Sequence, residues 1–172
     1  IDGMQGARGQ IRTGGDAEAT AEGEAVEGDP ALSDTNDVGV TIAALAVYPI
    51  KSCAGVAPAE AMLVETGFEF DRAWMVVDEA GRFVSQRELP RLALVRPTLK
   101  QLDMVLRGPG MLALHIALDV VEKPVRATVW DDEVAAYDMG DLAAQWFSDC
   151  LDRRLRLVRF DPEQRRLSNR RW

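Results

Sequence analysis

Three short runs of the chain carry side chains able to do chemistry together. Tyr48-Pro49-Ile50-Lys51-Ser52-Cys53-Ala54-Gly55 sets an ammonium, a hydroxyl and a thiol in succession after a proline, and Gly55 permits a tight backbone path. Lys51 and Ser52 together supply the charge and hydrogen bonds that a phosphate needs. Asp71-Arg72 carries a guanidinium fork that either pairs with the adjacent carboxylate or turns toward a phosphate. Ser85-Gln86-Arg87-Glu88-Leu89-Pro90 is a third such run, and its composition equally describes a salt-bridged turn.

Other chemistries find little material. There is no P-loop, no GxGxxG, no CxxC and no HExxH. The single histidine, His115, falls on the polar face of an expected strand, and no Ser-His-Asp arrangement stands out. One histidine and two distant cysteines, Cys53 and Cys150, do not make a conventional zinc site. No residue is therefore expected to be catalytic or to bind a metal. Two cysteines also make no disulfide framework, which points to a reducing compartment, the cytoplasm. The sequence has neither a signal-peptide pattern nor an apolar run approaching the roughly 18 residues of a membrane span.

The elements that must position these runs are mostly short strands. Val40–Tyr48 is a continuous β-prone run that Pro49 should end. Glu60–Glu65 follows, closed by Gly67. Trp74–Asp78 and Arg82–Gln86 flank a Gly-containing turn and read as a hairpin. Leu92–Leu99 contains Pro97 and reads as an edge or a bend. Residues 111–118 alternate, with Leu112, Leu114, Ile116 and Leu118 on one face. Val125–Trp130 and Val134–Tyr137 form another hairpin. One helix is expected near residues 140–151, capped by Asp138, with Leu142, Trp146, Phe147, Cys150 and Leu151 on its apolar side. Leu155, Leu157 and Phe160 suggest a last strand. The expected fold is mainly β: a small β-barrel of about seven to nine short strands with one late α-helix.

Charge divides the chain into three. The whole carries 20 Lys+Arg against 28 Asp+Glu, a net charge of −8. Residues 1–39 hold almost no large apolar side chains and much of the acid, and are expected to be a disordered tail. Residues 40–160 form the domain. Residues 161–172 are a basic connector. The start at Ile1 and the stop at Trp172, directly after two arginines, read as the ends of a fragment. Global acidity and the lack of a stacking set of aromatics among the C-terminal arginines argue against nucleic acid.

Taken in order, the Tyr48–Gly55 loop, the Gly67…Asp71-Arg72-Ala73-Trp74-Met75-Val76 segment and the Ser85–Pro90 run resemble the N-terminal β-barrel domain of MOSC proteins. Val129-Trp130-Asp131, Asp138-Met139-Gly140, Ala143-Ala144-Gln145-Trp146 and Leu157-Val158 extend the resemblance over roughly residues 41–160. That family includes the mitochondrial amidoxime-reducing component, its bacterial relatives and the C-terminal part of molybdenum cofactor sulfurase. The resemblance implies the molybdenum cofactor as ligand, with Lys51, Ser52 and Arg72 on the pterin's terminal phosphate. It assigns no role to Arg87, and Cys53 matches a family cysteine that is not the metal ligand. The metal-ligating cysteine would lie in a C-terminal MOSC domain beyond Trp172.

The resemblance implies a full-length oxidoreductase of N-hydroxylated substrates or a sulfur-transferring enzyme, of which this chain alone is inactive. The expected partners are the missing MOSC domain, met through the basic end, and an electron-donor protein or fused ferredoxin-like domain. The alternative is a stand-alone, non-catalytic barrel that binds a partner or an anion.

Overall fold

The structure, a computed structural model, describes the backbone of residues 9–12 and the whole of residues 41–162. The described residues form eleven strands and one helix. In chain order the strands are β1 (Gly9–Arg12), β2 (Ile50–Lys51), β3 (Glu60–Val64), β4 (Gly67–Phe68), β5 (Trp74–Val77), β6 (Arg96–Leu99), β7 (Asp103–Arg107), β8 (Leu114–Ala117), β9 (Lys123–Val129), β10 (Asp132–Asp138) and β11 (Arg156–Phe160). The helix α1 spans Asp141–Leu151, and a 3-10 turn covers Pro90–Leu94. The mainly-β class with one late helix is as expected. The strands fall into three sheets and do not close into one ring: β1-β3-β4, β2-β5-β11-β10-β9 and β6-β7-β8. Pro97 sits in β6 and Pro124 in β9, both edge strands, where a missing N–H is tolerated.

β5 lies inside the five-stranded sheet, and all four of its residues are buried. Trp74 and Val76 face one core with Leu157, Phe147 and Met104, while Met75 and Val77 face a second with Val158, Ala136 and Val129. Cover on both faces explains why Trp74–Val77 is apolar at every position rather than at alternate ones. Helix α1 closes the first core with Trp146, Phe147, Cys150 and Leu151. It lies so close to the Gly108 turn that a Cβ there would meet the Cys150 sulfur at 2.6 Å.

Several expectations need correction. Val40–Tyr48 forms no strand among its described residues; only Val47 bridges, to Val56, and the ladder begins after Pro49 with β2. The second arm of the Asp78–Arg82 turn is reduced to bridges at Arg82 and Phe83. The alternation of residues 111–118 starts at Leu114, and Leu112 is 88% exposed. Leu142 likewise points to solvent. Asp138 does not cap the helix: Gly140 holds that place without a side-chain cap, and Asp138 is the buried last residue of β10. Its carboxylate accepts from Gly140 N (2.7 Å) and from Arg156 Nε and Nη2 (2.5 and 2.9 Å). An ion-pair partner on the neighbouring strand β11 outcompeted the local capping option. Within the expected tail, Gly9–Arg12 pair antiparallel with β3, through main-chain bonds that composition does not exclude. The rest of residues 1–39, and residues 163–172 of the expected connector, lie outside the described residues.

Candidate functional site

The Tyr48–Gly55 loop is anchored at both ends. Trp74 N donates to Pro49 O (3.0 Å), so Ile50 and Lys51 lie parallel beside Trp74 and Met75. Cys53 N donates to Ile50 O (3.1 Å) and Ala54 N to Val95 O (3.0 Å), which folds the chain back sharply at Ser52. Gly55 passes under the Tyr48 ring, where a Cβ would come within 2.8 Å of the ring edge. Close approach, rather than a left-handed φ, is the reason for glycine there.

Arg72 is tied to the same tyrosine. Its N–H donates to Tyr48 O (2.7 Å), Asp71 Oδ1 accepts from Tyr48 N (2.8 Å), and Asp71 Oδ2 pairs with the Arg72 guanidinium. The guanidinium lies 5.6 Å from the Tyr48 ring centroid, within cation–π range. Lys51 Nζ stands 5.1 Å from the centre of the Phe83 ring. Glu88 turns away from Arg87: it pairs with Arg82 (3.5 Å) and its N–H donates to the buried Ser85 Oγ (3.4 Å). The Ser85–Pro90 run is thus a salt-bridged turn whose ion pair leaves Arg87 out.

These segments converge on a cleft of about 340 Å³. Lys51, Ser52 and Arg72 line it, and Arg87, Tyr48 and Trp130 join them. Its wall holds three cations and no carboxylate. Ser52, Arg72 and Trp130 all adopt left-handed backbone, with φ of 70°, 54° and 59°. Non-glycine residues in that region carry a strain on the order of 1–2 kcal/mol each, and such strain concentrates where a ligand is gripped. Arg87 and Trp130 carried no assigned role in the sequence. Their place becomes visible only when the β9–β10 turn is folded beside the Lys51 loop.

Elsewhere the chemistry is structural. His115 pairs with Asp103 on the surface. Cys53 and Cys150 are buried; burial pushes the Cys53 thiol up to about 12, the nearby Cys150 adding to it, and burial also raises Cys150. Among the described residues no group of three or more His, Cys, Asp and Glu is arranged to hold a metal ion. No helix among them is long and apolar enough to cross a membrane. A larger groove of about 1020 Å³ runs beside α1, but its walls mix both signs of charge and two of its arginines are engaged, Arg154 with Glu79 (3.0 Å) and Arg156 with Asp141 (2.8 Å). Arg159 is used internally too, over the Trp74 ring and donating to Leu118 O.

Residues 39–154 match the family described as the MOSC N-terminal beta barrel domain. The chain belongs to that family. This MOSC N-terminal domain is 36% identical over 132 residues to rat mitochondrial amidoxime reducing component 2, a match covering 73% of this chain and 39% of the relative. To human molybdenum cofactor sulfurase it is 32% identical over 127 residues, covering 71% of this chain and 14% of the relative. The match therefore spans about two-fifths of the amidoxime-reducing relative, and less of the sulfurase. The solution structure of a Bordetella bronchiseptica protein superposes with a TM-score of 0.54 at 28% identity, over 71% of this chain and 92% of that one.

Proposed function

We propose that this MOSC N-terminal domain is the phosphate-gripping part of a longer molybdenum-cofactor protein, and that Lys51, Ser52 and Arg72 hold the terminal phosphate of the pterin. One observation carries the reading: two loops and a turn from separate parts of the chain bring three cations and a hydroxyl into a single cleft whose wall has no carboxylate. That donor set fits a dianion. Lys51 supplies a point charge, Arg72 a planar fork with donors beyond the one used by Asp71, Ser52 a hydroxyl, and Arg87 a further guanidinium at the rim. Asp71 and the Tyr48 backbone fix the fork before any ligand arrives, which lowers the ordering cost of binding.

The bound cofactor would supply the redox or sulfur-transfer chemistry at its metal, in a full-length enzyme acting on N-hydroxylated substrates or transferring sulfur. This chain's residues bind and orient; none of them reacts. The remaining partners are a C-terminal MOSC domain and an electron donor.

The test uses the full-length protein. Lys51→Ala with Arg72→Ala should lower bound molybdenum per polypeptide, since each charge-assisted hydrogen bond contributes about 1.5–3 kcal/mol, while the melting temperature of the domain stays near that of the unmodified protein. Normal molybdenum loading in the double variant would end the phosphate-grip reading.

A further inference from the structure

Trp130 sits where no fold would choose to put it. It is the first of the two residues joining β9 to β10, with Val129 and Asp132 paired across the turn. Its φ is +59°, while Asp131 is not left-handed. Left-handed backbone at the first central position alone is the pattern of a type II′ turn, whose natural occupant there is glycine. Trp130 is also 59% exposed, so its large ring gains only part of the burial that usually justifies a tryptophan. Packing and backbone preference both argue against the residue, and neither accounts for it.

What the position does provide is a lip for the cationic cleft. Trp130 is one of its lining residues. Its indole meets the Phe83 ring edge-to-face, centroids 5.7 Å apart at 81°, and Phe83 in turn carries Lys51 Nζ at 5.1 Å. The indole is thus held by one ring contact from the ring that seats the ammonium. The contact to Phe83 orients the indole, while most of the residue stays open to solvent.

Resting on the phosphate reading above, we infer that Trp130 is a ligand-stacking residue, and that the cleft selects phosphate monoesters carried on a flat aromatic or heteroaromatic group over alkyl phosphates of the same charge. The phosphate would sit with Lys51, Ser52 and Arg72, and the ring attached to it would lie against the indole. Stacking of a flat base on an aromatic side chain contributes roughly 1–3 kcal/mol, so selectivity of at least about fivefold is expected.

Calorimetric titration of the whole 172-residue chain with 1-naphthyl phosphate and with methyl phosphate tests this. Naphthyl phosphate should bind at least about fivefold tighter. Trp130→Gly, which suits the left-handed backbone, should keep the melting temperature and erase the advantage of naphthyl phosphate over methyl phosphate. Trp130→Phe should keep most of that advantage. Equal affinity for the two probes, or an advantage that survives Trp130→Gly, overturns the stacking role while leaving the phosphate site standing. Binding of neither probe by the folded chain overturns both readings.

Discussion

The Asp71 carboxylate is divided between two partners: one oxygen accepts from the Tyr48 backbone at 2.8 Å, and the other pairs with Arg72. Arg72 is therefore both the structural partner of Asp71 and a wall of the cleft, two roles that looked like alternatives in the sequence. The pair is largely exposed on the arginine side and as a surface ion pair contributes about 0–1 kcal/mol. Its consequence lies in aim rather than stability. Asp71→Asn keeps an oxygen for Tyr48 N but loosens the guanidinium. It should change the melting temperature little and weaken phosphate-ester binding by about twofold to fivefold, within the energy of a surface pair. A full loss of folding in Asp71→Asn would show instead that the carboxylate serves the loop alone.

Ser52 gives a second separation of stability from function. With φ at +70°, Ser52→Gly removes left-handed strain of about 1 kcal/mol, offset in part by the entropy of glycine. The variant should melt no lower than the parent. It should still bind phosphate esters several-fold more weakly, because one hydroxyl hydrogen bond is gone. Unchanged affinity would remove Ser52 from the grip.

The legible part of this chain is its pairing chemistry. The hairpin of β9 and β10, expected to turn at Asp131-Asp132-Glu133 and found to turn one residue earlier at Trp130-Asp131, the Gly67 turn and the apolar run Trp74–Val77 were each readable, because turn residues and burial are local properties. Val40–Tyr48 misled because β-prone composition does not supply a neighbouring strand to pair with. Asp138 misled because its position before a helix resembles a cap, while its true partner, Arg156, lies 18 residues on. Lys51, Ser52 and Arg72 were legible from residue type together with the family resemblance. Trp130 and Phe83 were not, since hydrophobic side chains at a hairpin and beside a bridge carry no mark of the cleft they border.

Asp138 and Arg156 set the acid response. The Asp138 carboxyl lies below its usual range, chiefly because Arg156 hydrogen-bonds it; burial works in the opposite direction, and Gly140 N adds to the lowering. A carboxyl depressed in the folded state stabilises the fold above its unfolded pKa, about 3.9, and that stabilisation is lost as pH falls through the folded value. Asp138→Asn should therefore destabilise by about 1.5–3 kcal/mol at pH 7. The gap between variant and parent should narrow below about pH 4 in thermal melts. A gap independent of pH would place the effect elsewhere.

Cys53 lines the cleft yet should behave as an inert thiol. With its pKa pushed up to about 12, chiefly by burial and in part by Cys150, it holds far less thiolate at pH 8 than an unperturbed cysteine. Thiol-reagent labelling of the native chain at pH 8 should be far slower than after denaturation. Fast native labelling mapped to Cys53 would contradict the buried placement.

If Lys51, Ser52 and Arg72 form one phosphate grip, a free phosphate should perturb them together. Amide chemical shifts of the 172-residue chain, followed during titration with inorganic phosphate at constant ionic strength, test it most directly. Saturable shifts are expected at Ser52, Arg72 and Arg87, and they should disappear in the folded Lys51→Ala, Arg72→Ala double variant. Saturable shifts centred on Arg153 and Arg154, or an unchanged dissociation constant in that variant, would contradict it.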